Sequence, residues 1–398
     1  MKWIAGGVTA AAGFRASGVS AGIKRSRKPD LALVVSDGPS AAAAVFTTNA
    51  VKAAPVLISQ QRVRRGAAQA ILINSGCANC LTGQPGHQDA LALGRAVAQA
   101  LRLAEPDVLL ASTGMIGRRL PVPKIQRAIP ALVRQLHRAN HVRAAEAILT
   151  TDLKRKEAAV EFAIGGRAIR LGGMVKGSGM IAPSMATMLC VITTDAAIDP
   201  ALLRTCLRRG VARTFNRASV DGDMSTNDTV FALASGRSGA AVRSGQAAQR
   251  FGAALEAVLA RLARLMIQDG EGATRLLDVR VLGGRTEREA PACARAVACS
   301  PLVKTMLAGG DPNVGRLAAA AGSSAARCDP AKLGIRIGAQ RVVSRGVAIR
   351  LDKSVSRTLL AGPIAQVTIH LHAGSAQGRM LTCDLTEEYI RINARYST

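Results

Sequence analysis

The sequence predicts a mixed α and β protein, and three observations carry that reading. Short β-branched runs bounded by Gly, Pro, Asn or Asp recur at Leu31 to Val35, Ala43 to Thr47, Val56 to Ser59 and Ala70 to Asn74, and these read as strands. Longer Ala/Leu/Arg segments at helical spacing occupy Asp89 to Leu103, Pro123 to His137 and Gln246 to Met266. Between them, the alternating runs Ala158 to Ile164 and Ala168 to Gly172 flank Gly165-Gly166, the pattern of a two-residue hairpin turn. A strand-like Leu189 to Thr193 follows a glycine-rich stretch from Gly172 to Met180, so Thr187 is expected where a loop enters a strand. The Ala-rich stretch from Leu317 to Arg327 fits a helix or a mobile loop.

Composition narrows the class. A chain of 398 residues that is 48% apolar can bury one large core or two ordinary ones. No apolar run is long enough to span a bilayer, and Met1 to Phe14 is too glycine-broken for a signal-peptide core, so the expected setting is the cytoplasm with no membrane partner. Eight cysteines without dense regular spacing agree with a reducing compartment. Cys77 and Cys80 form a lone C-x-x-C with no second pair at ligand spacing, so no metal is expected. The formal charge of +27 attracts polyanions whatever the fold. Against nucleic acid as a partner stand arginines spread along the whole chain, an aromatic content of 2%, and no RNA- or DNA-binding pattern.

The usual catalytic signatures, G-x-S-x-G, H-E-x-x-H and the Walker loop among them, do not match. Five histidines leave few choices: His370 and His372 alternate on an expected strand and, with no third ligand in view, read as structural or surface residues, and a Ser-His-Asp enzyme finds little support. Glycine and small polar residues instead concentrate at Ser112-Thr113-Gly114, Lys176 to Met180, Asp221 to Asp228 and Asp269 to Gly272. Glycines let backbone amides approach an anionic atom, and the adjacent Thr, Lys, Glu and Asn offer recognition of a small zwitterion. Each segment taken singly reads equally as a turn.

Taken in order, these segments resemble the ornithine acetyltransferase (glutamate N-acetyltransferase) family. The resemblance runs from Gly7-Val8-Thr9-Ala10 through Val45-Phe46-Thr47-Thr48-Asn49, Asn74-Ser75-Gly76 and Ser112-Thr113-Gly114. Its most specific part is Lys176-Gly177-Ser178-Gly179-Met180-Ile181-Ala182-Pro183-Ser184-Met185-Ala186-Thr187-Met188-Leu189. Downstream it covers Ser225-Thr226-Asn227-Asp228-Thr229, Asp269-Gly270-Glu271-Gly272-Ala273-Thr274, Ser300 to Thr305, Asp311-Pro312-Asn313 and Arg391-Ile392-Asn393-Ala394.

The resemblance implies an αββα sandwich of the N-terminal-nucleophile type over residues 1–280, with a smaller α/β domain over residues 281–398 whose tail returns to the site. It implies self-cleavage between Ala186 and Thr187. Thr187 becomes the nucleophile, and its freed α-amine, with an ordinary pKa of about 7.7–8, is the base. Acetyl then passes from N-acetylornithine to glutamate through acetyl-threonine, in arginine biosynthesis, with no cofactor. Acetyl-CoA as a second donor is left open. Thr113 and Gly114 match the oxyanion-stabilising pair, and Lys176, Thr187, Glu271, Asn393 and Thr398 match substrate contacts. The fragments are expected to assemble as α₂β₂.

Several positions depart from the family. The T-T-D-T pattern, whose last Thr is expected to contribute to the substrate site, appears as Thr150-Thr151-Asp152-Leu153. Cys77 replaces Asn, Met224 replaces Thr, Val314 replaces Trp and Ser397 replaces Arg. Two other readings remain at this point: an N-terminal-nucleophile amidohydrolase or aminopeptidase that resolves the acyl-enzyme with water, and a weakly active or non-catalytic polyanion-binding paralogue.

Overall fold

The computed structural model describes residues 1–182 and 188–395. The largest sheet has nine strands. Its organising element is the long strand Leu31–Phe46. The start of this strand pairs with Phe14–Val19 and Ala67–Cys77; after a register shift between Val35 and Ser40 its end pairs with Thr229–Ala234. One strand thus serves two parts of the sheet. Beyond Thr229–Ala234 the order continues through Leu189–Thr194, Arg167–Lys176, Lys156–Ile164 and Lys2–Ile4; beyond Ala67–Cys77 it ends on Val108–Met115.

Side-chain alternation shows how the parts stack, because successive residues of a strand face opposite ways. Leu31, Leu33, Val35, Leu72 and Leu110 share a core cluster with Leu93 and Val97 of helix Gly83–Leu101 and with Ile125 and Ile129 of helix Val122–Arg134. Their neighbours Ala32, Val34, Ile71, Ile73 and Leu109 share another with Met174, Leu189, Val191, Phe231 and Leu233. Cys190, Ile192, Val230 and Ala232 then pack on helices Pro200–Arg213 and Gly245–Gln268 through Leu207, Leu255, Leu259 and Leu262. The order is helix, sheet, sheet, helix: the expected αββα sandwich. Truncating a residue such as Ile71, fully buried at the sheet-to-sheet interface, costs about 2–5 kcal/mol.

A seven-stranded sheet follows. Leu276–Gly284 pairs parallel with Ile364–His370 and antiparallel with Ala376–Cys383. Helices Glu289–Cys299, Pro301–Gly309 and Val314–Gly322 share its core, through Cys293, Val297, Val303, Leu307 and Leu317. Leu276–Gly284 crosses position 280, and Ala218–Ser219 adds an edge strand beside Ala376–Cys383. No helix among the described residues is long and apolar enough to cross a membrane.

The hairpin forms as read, with Ile164 opposite Arg167 and both turn glycines at positive φ. Leu31 to Val35 and Ala43 to Phe46 are parts of one strand, which ends before Thr47. Val56 to Ser59 corrects the strand reading: it lies in helix Ala54–Arg62, with Pro55 in the first turn. Three apolar residues and a serine are too few to separate the two periods, and a proline near a helix start favours the helix. Val314, where the family has Trp, is the first residue of its helix, behind the N-cap Asn313.

Candidate active site

The strand Val108–Met115 carries Ser112, Thr113 and Gly114 to its C-terminal end. Gly114 has φ +126°, and a Cβ there would lie 2.3 Å from the carbonyl carbon of Gly76, its parallel partner. Only glycine fits, and its backbone is left bare toward the site. Asn227 fixes this corner by donating through Nδ2 to Ser112 O at 2.8 Å and to Ala78 O at 2.7 Å. Ser112 Oγ donates to Asn74 Oδ1 at 2.5 Å.

Lys176 ends the hairpin's second strand and is buried. Its Nζ lies 3.9 Å from Asp152 Oδ2. Lys156 Nζ lies much closer to both nearby carboxylates, 2.6 Å from Asp152 Oδ1 and 2.5 Å from Asp269 Oδ2. Burial alone would raise the Asp152 carboxyl, but the Lys176 and Lys156 charges hold it well below the usual carboxylate range. Burial pushes the Lys176 amine below its ordinary value, with Asp152 pulling it back. Lys156 bridges both aspartates, and of the two amines it is Lys176 that lines the cavity.

Glu271 follows helix Gly245–Gln268, its N–H donating to Ser178 O at 2.8 Å. Gly179 makes room for it: a Cβ there would stand 2.4 Å from Glu271 Oε2. The same oxygen accepts from Asn393 Nδ2 at 2.8 Å, on helix Glu387–Ala394.

Thr113, Gly114, Lys176, Glu271 and Asn393 converge on one cavity of about 240 Å³. Ala186, Thr187 and Thr398 lie outside the described residues. Immediately after Thr187, the Met188 N–H donates to Asp228 Oδ1 at 2.7 Å. Asp228 is fully buried, which pushes its carboxyl well above the usual range, and its Oδ2 has no hydrogen-bond partner among the described residues. Before the bond, Met180 and Ile181 donate to Asp221 at 2.5 and 2.8 Å, and burial pushes that carboxyl up to about 6.

Leu153 stands where the resemblance places a substrate-contacting Thr. It is 83% exposed and lies outside this cavity, its N–H donating to Asp269 Oδ2; Thr150 and Thr151 are the residues of that segment that line it. Leu153 instead borders two neighbouring clefts. His370 and His372 stack at 3.6 Å between ring centroids, and neither lines the cavity. Cys77 and Cys80 are free buried thiols, and no cluster that could hold a metal occurs among the described residues. The Lys156, Asp152 and Asp269 network was missed from sequence; its signal is a lysine opening a strand that is otherwise largely apolar, answered by an acid four residues earlier.

A sequence profile of the ArgJ family matches residues 15–398. The chain belongs to the ArgJ family. Among ArgJ relatives, the arginine biosynthesis bifunctional protein ArgJ of Gloeobacter violaceus is 46% identical over 407 residues, covering 100% of this chain and 99% of the relative. The protein of the same name from Symbiobacterium thermophilum is 45% identical over 402 residues, covering 100% of both. Among solved ArgJ-type structures, ornithine acetyltransferase of Mycobacterium tuberculosis complexed with ornithine is 44% identical, covers 46% of this chain and 96% of that chain, and gives a TM-score of 0.43.

Proposed function

We propose that this chain is a glutamate N-acetyltransferase of arginine biosynthesis, moving acetyl from N-acetylornithine to glutamate through acetyl-Thr187. The observation that carries the reading is the convergence of a buried ammonium, Lys176, a buried carboxylate, Glu271, and the Thr113-Gly114 corner on a single small cavity. N-acetylornithine carries an α-carboxylate and a side-chain ammonium, which that pair of opposite charges answers, and an acyl transfer needs donors aimed at its oxyanion.

The chain cuts itself between Ala186 and Thr187, and the new α-amine takes the Thr187 hydroxyl proton as the oxygen attacks the acetyl carbonyl. Thr113 and Gly114 stabilise the tetrahedral oxyanion, a contribution of about 2.7–4 kcal/mol per donor in other acyl-transfer enzymes. Ornithine leaves with the proton, and the glutamate amine reverses the steps. Lys176 holds the α-carboxylate. Glu271, oriented by Asn393, holds the ammonium, and Thr398 closes the site. The ArgJ relatives are named bifunctional, and this reading accordingly includes acetyl-CoA as a second donor. The fragments Met1 to Ala186 and Thr187 to Thr398 form α₂β₂ in the cytoplasm. The sandwich, residues 1–280, and the smaller unit, 281–398, divide within the strand Leu276–Gly284.

The experiment is transfer of labelled acetyl from N-acetylornithine, with and without glutamate. Labelled N-acetylglutamate in proportion to glutamate is the expected product. Free acetate at the same rate with or without glutamate would replace the transferase reading with a hydrolase.

A further inference from the structure

Two buried lysines stand on neighbouring strands of the hairpin, and one of them reaches the acetyl cavity. Lys156 opens the strand Lys156–Ile164, opposite Val175, and Lys176 closes the strand Arg167–Lys176. Lys176 lines the cavity, whereas Lys156 is 2% exposed and does not. An ammonium has three N–H donors. Those of Lys156 are all engaged, on Asp152 Oδ1 at 2.6 Å, on Asp269 Oδ2 at 2.5 Å and on Lys154 O at 3.2 Å. It has no donor left for a ligand.

Each carboxylate that Lys156 joins is tied to a segment that walls the cavity. Asp152 Oδ1 also accepts the N–H of Gly177 at 2.7 Å, one residue beyond Lys176, and its Oδ2 accepts the N–H of Thr150 at 3.0 Å. Asp269 stands two residues before Glu271 in the chain, and its Oδ2 also accepts the N–H groups of Leu153 and Lys154 at 3.1 and 3.2 Å. One ammonium thus links the segment of Lys176 to the segment of Glu271. Two uncharged contacts run alongside it: the Glu271 N–H donates to Ser178 O at 2.8 Å, and the hydroxyls of Thr151 and Ser178 lie 2.7 Å apart.

Energetics favour geometry over stability as the use of such a network. Taking ions out of water costs about as much as their mutual attraction returns, and well-packed apolar residues of the same volume often hold a fold equally well. What ions add is direction, because charge-assisted bonds are short and orient both partners. The segments oriented here carry the ammonium and the carboxylate that answer the two ends of the proposed substrate.

We propose that Lys156, through Asp152 and Asp269, is a positioning residue for acetyl transfer: it sets the span between Lys176 and Glu271, and with it the length of amino-acid side chain that is accepted. The inference rests on the acetyl-transfer reading and gives the cavity its selectivity. A side chain one methylene shorter leaves its ammonium short of Glu271. One methylene more drives it against a carboxylate that Asn393 and Gly179 back closely. The same charge tunes Lys176. Burial lowers that amine first; Asp152, Glu271 and Asp228 pull it back up, while Lys156 pushes it down and Lys24 repels it from farther off.

The test uses the full self-processed chain and three donors: N-acetylornithine and the two N-acetyl amino acids whose side-chain amine lies one methylene nearer or farther. Lys156→Met with Asp269→Asn removes one charge of each sign, and the asparagine oxygen can still accept from Leu153 and Lys154; thermal unfolding reports whether the variant folds. The expected result is a KM for N-acetylornithine raised about tenfold or more with kcat within about threefold, since charge-assisted contacts are misplaced. The wild type should prefer N-acetylornithine over either analogue by about tenfold or more, and the variant by about threefold or less. The alkaline limb of kcat/KM should move to higher pH, because a charge that depresses the Lys176 amine is gone. Where the double variant fails to fold, Asp269→Asn alone, which keeps Lys156 on Asp152, should show the same narrowing of preference. A lower unfolding temperature with KM, preference and pH limb all unchanged would make the network purely structural and overturn the proposal, as would a fall in kcat alone. A wild type that moves acetyl with no preference among the three donors sinks this inference alone. One that moves no acetyl sinks the functional reading beneath it.

Discussion

Asn393 and Glu271, 122 positions apart, meet in a hydrogen bond of 2.8 Å. The bond joins helix Glu387–Ala394 to the residues that follow helix Gly245–Gln268, and it holds a buried carboxylate at the wall of the 240 Å³ cavity. Asn393→Ala removes a charge-assisted bond, so kcat/KM for N-acetylornithine should fall by about 10–100-fold, mostly through KM. Asn393→Asp should cost more, because two carboxylates then face each other. Steady-state kinetics decide, and a loss below about twofold with Ala would mean that the Gly179 cradle alone holds Glu271.

Thr187 is asked to perform both self-cleavage and acetyl transfer. Thr187→Ala should leave a single species of 41.2 kDa and abolish transfer, as read by intact mass and labelled acetyl. Thr187→Ser keeps a hydroxyl but frees χ1, so cleavage should slow and transfer should fall without vanishing. Cleavage and transfer by the Ala variant would remove Thr187 from the mechanism.

Leu153→Thr is expected to change kcat/KM for N-acetylornithine by less than about twofold, the usual range for an exposed position away from the site. The leucine is 83% exposed and lies outside the acetyl cavity. A large gain would mean that the side chain reaches the ornithine end of the substrate after all.

Asp221 should leave a signature in stability against pH. Its carboxyl is raised by burial from 3.8 to about 6, so the folded state holds its proton over a window in which the unfolded state has released it. Stability from this group is therefore fully present below the unfolded value and is lost as pH rises through about 6. Asp221→Asn cannot titrate, and in denaturant titrations across that window its stability should fall less steeply with pH than the wild type's. Parallel slopes for the two proteins would show that Asp221 is ionised throughout.

Local chemistry was legible in the sequence wherever a residue type admits few conformations. Gly165-Gly166 announced its turn, and the glycine-rich segments named the corners where Gly114 has no room for a side chain and Gly179 lies against Glu271. Side-chain direction was not legible: Thr150 and Thr151 line the cavity, while Leu153 is 83% exposed. Pairing across long separations was equally hidden: Lys156 finds Asp269 only through folding. The helix Ala54–Arg62 was misread because three apolar residues in a row carry no period.

The sheet order has a last consequence once a cut at Ala186–Thr187 is made. Leu189–Thr194 and Thr229–Ala234, both downstream of the cut, lie side by side with Arg167–Lys176 on one flank and the end of Leu31–Phe46 on the other, both upstream. The two products are dovetailed: neither can leave without breaking a ladder on each side of the inserted pair. Dilution should not separate them, yet once unfolded they must find each other again as two molecules. The precursor folds at a rate independent of concentration, whereas the mature enzyme can only be rebuilt by collision, so maturation exchanges a reversible equilibrium for a lifetime set by the rate of unfolding.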